Sequence, residues 1–249
     1  FRKYEHDVAD FWTKVYPEFF KANDCKEGAA VINCIERAVH ERFYDKISKV
    51  YGTDKDEFYL SYLDDPIFKD RAKWLGKTLH QEDKKLTCLV FGLVEGLSLF
   101  SMFALLRSFQ ANGINKIVTT VKGTKQSAND ELLHSEYLAT TFQYYYGELG
   151  TSLDLDVEYY DKLLEQTYNV FDMEKFILTE VIKTEGFPED EFNGVKLTEY
   201  FDLLKVLANV YFIRLGSHKL PFPEIETCTL YDWFFTSTVA YAETDFFGK

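Results

Sequence analysis

The stretch Asn129-Asp130-Glu131-Leu132-Leu133-His134 decides how the rest of the chain is read. It lies in a segment of helical character and sets a Glu and a His three positions apart, behind an Asp. On an α-helix, positions i and i+3 share a face, so one turn offers a carboxylate oxygen and an imidazole nitrogen to the same point. Most such pairs are solvated helix faces. This one becomes a metal site only if other helices supply matching ligands.

Outward from that stretch, the chain reads as a series of helices. Leu86 to Ala111 is hydrophobic nearly all round, the pattern of a buried helix. Asn112-Gly113-Ile114-Asn115 breaks it, and a second long helix runs from about Lys116 to Tyr146, with Gly123 as an irregular point. Upstream, Tyr4, Val8, Phe11, Val15 and Phe19 recur at helical spacing, and Pro17 is expected to distort or end that segment near Tyr16. Asp24 with Glu27 three later forms a capping-box pattern, opening a helix that runs to about Tyr51 with Val31, Ile35, Val39, Phe43 and Ile47 on one face. Shorter helices are expected over 54–63 and 66–80. After a loop at 147–156, longer ones follow over 157–184 and 196–216, with a last piece inside 231–241. Period-two strands, repeats and low-complexity linkers are missing from the pattern. The expectation is an all-α single domain over residues 1–249.

Composition narrows the function classes. A chain of 249 residues with 46% hydrophobic and 17% aromatic residues can fill a core without staples. The cysteines, Cys25, Cys34, Cys88 and Cys228, form no C-x-x-C pair. With no signal-peptide pattern, they indicate a reducing, cytoplasmic setting. A net charge of −13 argues against a nucleic-acid partner. No run reaches membrane-spanning length without polar interruption; the nearest, Leu86 to Leu106, contains Glu95, so no membrane partner is expected. Phe1-Arg2-Lys3 is not a natural start, and a trimmed N-terminus is expected.

Glu95 is itself informative. An ionised carboxylate in so apolar a helix is costly unless it is paired with a base or bound to metal. His40, on the preceding long helix, would by itself read as a core histidine. Together, three helices offer Glu95, His40, and Glu131 with His134. Four-helix di-metal carboxylate proteins take a lone carboxylate from each of two helices and a Glu-x-x-His from each of the other two. Carboxylates with two imidazoles suit iron or manganese. Asp130 is placed to orient a metal-bound imidazole from a facing helix.

These residues carry a family resemblance. Asp130-Glu131-Leu132-Leu133-His134 resembles the D-E-x-L-H signature of the small, radical-generating subunit of class I ribonucleotide reductase, of the ferritin-like superfamily. Val94-Glu95-Gly96-Leu97 resembles its V-E-G-I segment, and His40-Glu41-Arg42-Phe43-Tyr44 its H-x-x-x-Y segment. Arg71-Ala72-Lys73-Trp74, Leu215-Gly216, Tyr231-Asp232-Trp233-Phe234 and Thr244-Asp245-Phe246-Phe247 also match typical positions. The resemblance implies a ferritin-like helical bundle with His40, Glu95, Glu131 and His134 as metal ligands and Tyr44 as the radical-bearing residue. It implies a place on the radical relay for Asp130, two iron ions (or manganese, or a mixed pair), a homodimer, and a large catalytic subunit as partner. The implied activity is that of ribonucleoside-diphosphate reductase, making deoxyribonucleotides. Leu99 and Phe103 are placed to shield a radical. The alternatives are another ferritin-like oxidase or oxygenase, or a degenerate metal-free scaffold.

The pattern breaks in two places. Three residues before His40, where the family carries Glu, stands Arg37; Glu36 is one position earlier and still within reach by i, i+4. A guanidinium in the site would favour a single-metal or metal-free form. On the first helix the family supplies an Asp. Asp7 and Asp10 are both available, with Asp10 favoured by the shortened connection. Phe11-Trp12 on the same helix resembles a family F-W pair whose tryptophan relays the radical. Only 25 residues separate Trp12 from Arg37 (37 − 12), too few for a further complete helix. Trp12 as relay and Asp10 as ligand therefore conflict.

Overall fold

The computed structural model describes residues 2–145, 159–184, 186 and 190–235. The expected loop at 147–156, the end of the last helix beyond 235 and the Thr244–Phe247 motif lie outside the described residues. Among the described residues the protein is a helical bundle. Its site-bearing helices are α1 (Arg2–Asp10), α3 (Asn23–Ile35) continuing into α4 (Glu41–Val50), α7 (Lys84–Leu93) continuing into α8 (Phe100–Ser108), and α9 (Val118–Gln143). Short helices α2 (Tyr16–Phe19), α5 (Asp56–Asp64) and α6 (Lys69–His80) link them. Two long helices, α10 (Tyr160–Thr184) and α11 (Leu197–Arg214), pack behind α7 and α8.

Three of these helices are interrupted by a π turn, at Phe11–Val15, Glu36–His40 and Val94–Ser98. A π turn winds i to i+5 and so takes in about one extra residue. Each turn keeps its helix continuous while rotating the downstream side chains. The segment around Pro17 is distorted rather than ended, with the π turn running up to Tyr16. Pro17 sits in the first turn of α2, just after the π turn, where its missing N–H costs nothing.

The α7–α8 helix is the core. Every residue from Thr87 to Ser98 is buried, and 89% of the most apolar window of Lys84–Ser108 lies inside the protein. That helix is long and apolar enough to cross a membrane, but α9, α10 and α11 already cover it. Asp83 caps its start, its carboxylate accepting from Leu86 N at 3.1 Å. The expected break at 112–115 holds: Asn112, Gly113 and Asn115 all have positive φ.

Two sequence expectations fail. Asp24 does not cap α3. The N-cap is Ala22, and the Asp24 carboxylate accepts from the adjacent Cys25 N instead. Val31 and Val39, expected on the buried face of α3–α4, are 60% and 52% exposed. The buried face is Cys25, Ala29, Ile32, Glu36, His40 and Tyr44. A hairpin of two-residue strands, β1 (Glu191–Phe192) and β2 (Val195–Lys196), was also not foreseen. Its turn is Asn193-Gly194, both at positive φ, and Asn-Gly is the strongest short hairpin signal.

Gly92 on α7 is where α11 comes closest. A Cβ there would stand 2.0 Å from the Tyr211 hydroxyl, which donates to Leu89 O at 2.7 Å. Gly92→Ala should therefore destabilise the protein by about 1–3 kcal/mol of overpacking, outweighing the roughly 1 kcal/mol that Ala adds to a helix. Denaturant unfolding monitored by circular dichroism measures the difference.

Candidate metal centre

Glu5 from α1, Glu36 and His40 from one π turn, Glu95 from another, and Glu131 and His134 from α9 converge in the interior, all buried. They form two overlapping groups, Glu5–Glu36–His40–Glu131 and Glu36–Glu95–Glu131–His134. In each, one ligand atom per residue lies within 4.8 Å of the others.

Glu36 and Glu131 belong to both groups, and each turns one oxygen to each histidine. Glu36 Oε2 lies 3.4 Å from His40 Nδ1 and its Oε1 lies 3.0 Å from His134 Nδ1. Glu131 Oε1 lies 3.2 Å from His40 Nδ1 and its Oε2 lies 3.1 Å from His134 Nδ1. Glu5 completes the His40 half. Glu95 completes the other, with Oε2 3.7 Å from His134 Nδ1. This is two positions with two shared carboxylates, one terminal carboxylate each and one imidazole each.

The π turn explains why the E-x-x-x-H spacing works. In an α-helix Glu and His share a face best at three or four apart. With one residue taken into a π turn, Glu36 and His40 present themselves as Glu131 and His134 do at i, i+3. Arg37 falls on the outside. Its guanidinium, 35% exposed, donates to Asp10 Oδ1 at 2.6 Å and lies 3.0 Å from His6 Nδ1. It does not enter the cluster, so the expected repulsion of a dication, and with it the argument for a single-metal or metal-free site, is removed.

Asp10 is likewise corrected. It is half-buried outside the cluster; burial opposes its charge, but Lys14 and Arg37 hold its carboxyl below the usual range. The first-helix carboxylate is Glu5. The signal that singled out Glu95 was also present here, since Glu5, Ala9, Trp12 and Tyr16 share a face and Glu5 is the charged residue among apolar ones. The search for an Asp passed over it. Trp12 lies on the helix that itself supplies a carboxylate, not on a segment upstream of it where the resemblance places the relay tryptophan.

The electrostatics fit a metal pair. Four carboxylates are buried together, and among the described residues the ion pairs of Glu36, Glu95 and Glu131 are all with His40 or His134. Both oxygens of Glu5 and Glu36, Oε1 of Glu131 and Nδ1 of His40 make no hydrogen bond of good geometry, although imidazoles stand 3.0–3.4 Å from Glu36 and Glu131. An unmade buried hydrogen bond costs about 1–3 kcal/mol, and more for a charged group. Two dications would neutralise four carboxylates, and this donor set suits iron or manganese. Without metal the charge is met by protons. Burial and the charge of Glu131 push Glu5 and Glu95 well up. Burial opposes protonation of His134, but Glu131, Glu36 and Glu95 outweigh it and take it to about 12. His40 is raised too, its partners Asp130, Glu131 and Glu36 overcoming burial.

Behind the ligands, Asp130 Oδ2 lies 3.0 Å from His40 Nε2. The carboxylate of the opening stretch thus faces the imidazole of the other helix, fixing which nitrogen looks inward. Tyr44 is buried one turn after His40, beside Ser127 and Thr124 of α9 and in the field of Glu5 and Glu131. Trp12 N–H donates to Glu95 Oε1 at 2.7 Å.

The model of the family "Ribonucleotide reductase, small chain" matches residues 1–224. The chain belongs to this family. Its fold is also that of a crystal structure from Bacillus halodurans assigned provisionally to class I ribonucleotide reductase. The TM-score is 0.78 at 20% identity, covering 94% of this chain and 82% of that one. No curated protein sequence matches the chain. The family membership implies a metal site and a large-subunit partner, and the ferritin-like bundle carries a buried cluster able to hold metal.

The geometry carries three predictions. Metal loading should release protons, since Glu5, Glu95, His40 and His134 are all shifted to hold them, so affinity should rise with pH between about 6 and 8. Calorimetry in buffers of different ionisation enthalpy counts those protons. Asp130→Ala should weaken binding about 10–100-fold. Arg37→Ala should keep the full metal stoichiometry and cost at most about 1 kcal/mol of stability; metal analysis and thermal denaturation check both halves.

Proposed function

We propose that this chain, taken as one domain over residues 1–249, is the radical-generating small subunit of a ribonucleoside-diphosphate reductase. In this reading it works as a homodimer with a larger catalytic subunit that binds the nucleotide. The observation that carries it is Tyr44, a buried phenol one turn from His40 and in the field of Glu5 of a paired-carboxylate cluster.

Glu5, Glu36, His40 and Glu131 would hold one ion and Glu36, Glu95, Glu131 and His134 the other, with iron as the first choice. A redox-active pair bound there supplies one-electron oxidising power drawn from dioxygen. The protein's own residues determine where that power goes. Burial and the negative charge of Glu5 push the Tyr44 phenol well above its ordinary value, so an isolated phenolate is disfavoured. Loss of an electron must then be accompanied by loss of the proton, and we assign Glu5, the carboxylate whose charge acts most strongly on the phenol, as its acceptor. With Tyr44 sealed from solvent, the resulting radical is kept from water and external reductants.

The other requirement is an outlet toward the partner. His40 Nε2 bonds Asp130, whose side chain is 22% exposed. The His40–Asp130 pair therefore joins the cluster to the protein surface in two side chains, and we assign Asp130 to the relay.

Tyr44→Phe should abolish the organic-radical signal in electron paramagnetic resonance while leaving metal stoichiometry unchanged. Retention of the same signal would move the radical elsewhere. Nucleotide reduction assayed with and without a large subunit tests the partner: activity without one would point instead to a stand-alone oxidase.

A further inference from the structure

The mechanism above leaves unused a row of oxidisable side chains on the opposite flank of the cluster. Glu95 turns Oε2 to His134 and Oε1 to the Trp12 indole N–H. The Trp12 ring lies 6.1 Å from the His134 ring. Tyr16 lies 5.2 Å from Trp12, and Tyr137 lies 6.1 Å from Tyr16 and 6.2 Å from Trp12. Trp12 and Tyr16 are fully buried and Tyr137 is half-buried. The row thus runs from a ligand of the candidate centre to the edge of the protein.

Its hydroxyls are also hydrogen-bonded. Tyr16 donates to Thr141 Oγ1 at 3.3 Å, one turn beyond Tyr137 on α9. The Tyr137 hydroxyl donates to Cys25 O at 3.3 Å. It reaches that position only because residue 28 is glycine: a Cβ there would stand 2.2 Å from the Tyr137 oxygen.

The geometry points to an electron conduit in which Tyr137, through Tyr16 and Trp12, reduces the metal centre when its oxidising equivalent is not collected by Tyr44. The inference rests on the oxidising role proposed above and concerns a different exit. The His40–Asp130 pair leaves from one half of the cluster, and this row leaves from the Glu95–His134 half. The oxidant is the dioxygen-derived oxidising equivalent of the centre.

In the first step Trp12 gives one electron to the centre and its N–H proton to Glu95 Oε1, leaving a neutral indolyl radical. An electron from Tyr16 then refills Trp12, whose nitrogen takes its proton back from Glu95. Tyr137 supplies an electron to Tyr16, which keeps its own phenol proton within the hydrogen bond to Thr141. The Tyr137 proton leaves to water at the half-buried edge. The centre gains one electron, Tyr137 loses one electron and one proton, and Trp12, Glu95 and Tyr16 end unchanged. Such a path discharges the centre without oxidising its ligands.

The test uses the full chain, loaded with ferrous iron and exposed to dioxygen with no partner, followed by freeze-quench electron paramagnetic resonance and by peptide mass spectrometry of oxidised residues. Tyr44→Phe should show a transient tryptophan-type and then tyrosine-type radical, with oxidation products at Tyr137. Adding Tyr16→Phe, which alters no candidate ligand, should leave the tryptophan signal and lose the tyrosine one and the products at Tyr137. Adding Trp12→Phe should lose both. A tyrosine-type transient indifferent to Tyr16→Phe and Trp12→Phe, in a protein whose wild type forms the Tyr44 radical, overturns this inference alone and leaves the row as core packing. A wild type that binds iron and forms no organic radical overturns both readings.

Discussion

Four carboxylates share one buried site, and the architecture depends on how their charge is met. In a low-dielectric interior an uncompensated ion costs several kcal/mol. Glu5, Glu36, Glu95 and Glu131 cannot all ionise there unless cations or protons accompany them. The surrounding core must tolerate this. Burying one Phe contributes about 1.5–3 kcal/mol, and Phe11, Phe91, Phe100, Phe103 and Phe212 are all fully buried. That mass of aromatic packing holds six polar side chains in place whether metal or protons neutralise them. It also keeps a sealed environment around Tyr44.

The π turns are the local device that serves this constraint. Each interrupts a helix where a side chain of the cluster or its neighbour must be aimed: Trp12, the Glu36–His40 pair, and Glu95. A π turn is energetically poorer than an α turn and is concentrated at functional sites. In the Glu36–His40 turn its consequence can be followed atom by atom. The inserted residue is absorbed, both ligands face inward, and Arg37 is swung outward to bond Asp10. The same cation that in an ideal helix would confront the metal instead fastens α1, and hence Glu5, to the ligand helix beside it.

The sequence carried the bundle and half of the site plainly, because Glu95 and Glu131–His134 sit on regular patterns. A charged residue inside an apolar helix and an i, i+3 pair are both visible without coordinates. What stayed hidden depended on helix winding. Three residues before His40 an α-helix would put Arg37 in the site, and the π turn at Glu36–His40 turns it outward. Glu5 was hidden by residue type, since an Asp was sought where the longer Glu reaches. The buried face of α3–α4 misled for a related reason: hydrophobic periodicity finds the core, and here the buried face is partly Glu and His.

The cluster is symmetric in its ligands and asymmetric in what surrounds them. On the His40 side stand Tyr44 and the partly exposed Asp130, and on the His134 side stands Trp12, bonded to Glu95. Glu36 and Glu131 each touch both histidines, so a change of charge on either half is felt by the other through the same two carboxylates. Under the proposed function, an oxidising equivalent formed there would have two oxidisable neighbours, Tyr44 and Trp12. Which one yields its electron depends on where the accompanying proton can go: from Tyr44 to Glu5, or from Trp12 to Glu95. Proton placement by the two unshared carboxylates, rather than ring proximity alone, would in that reading separate storage of the radical from its loss.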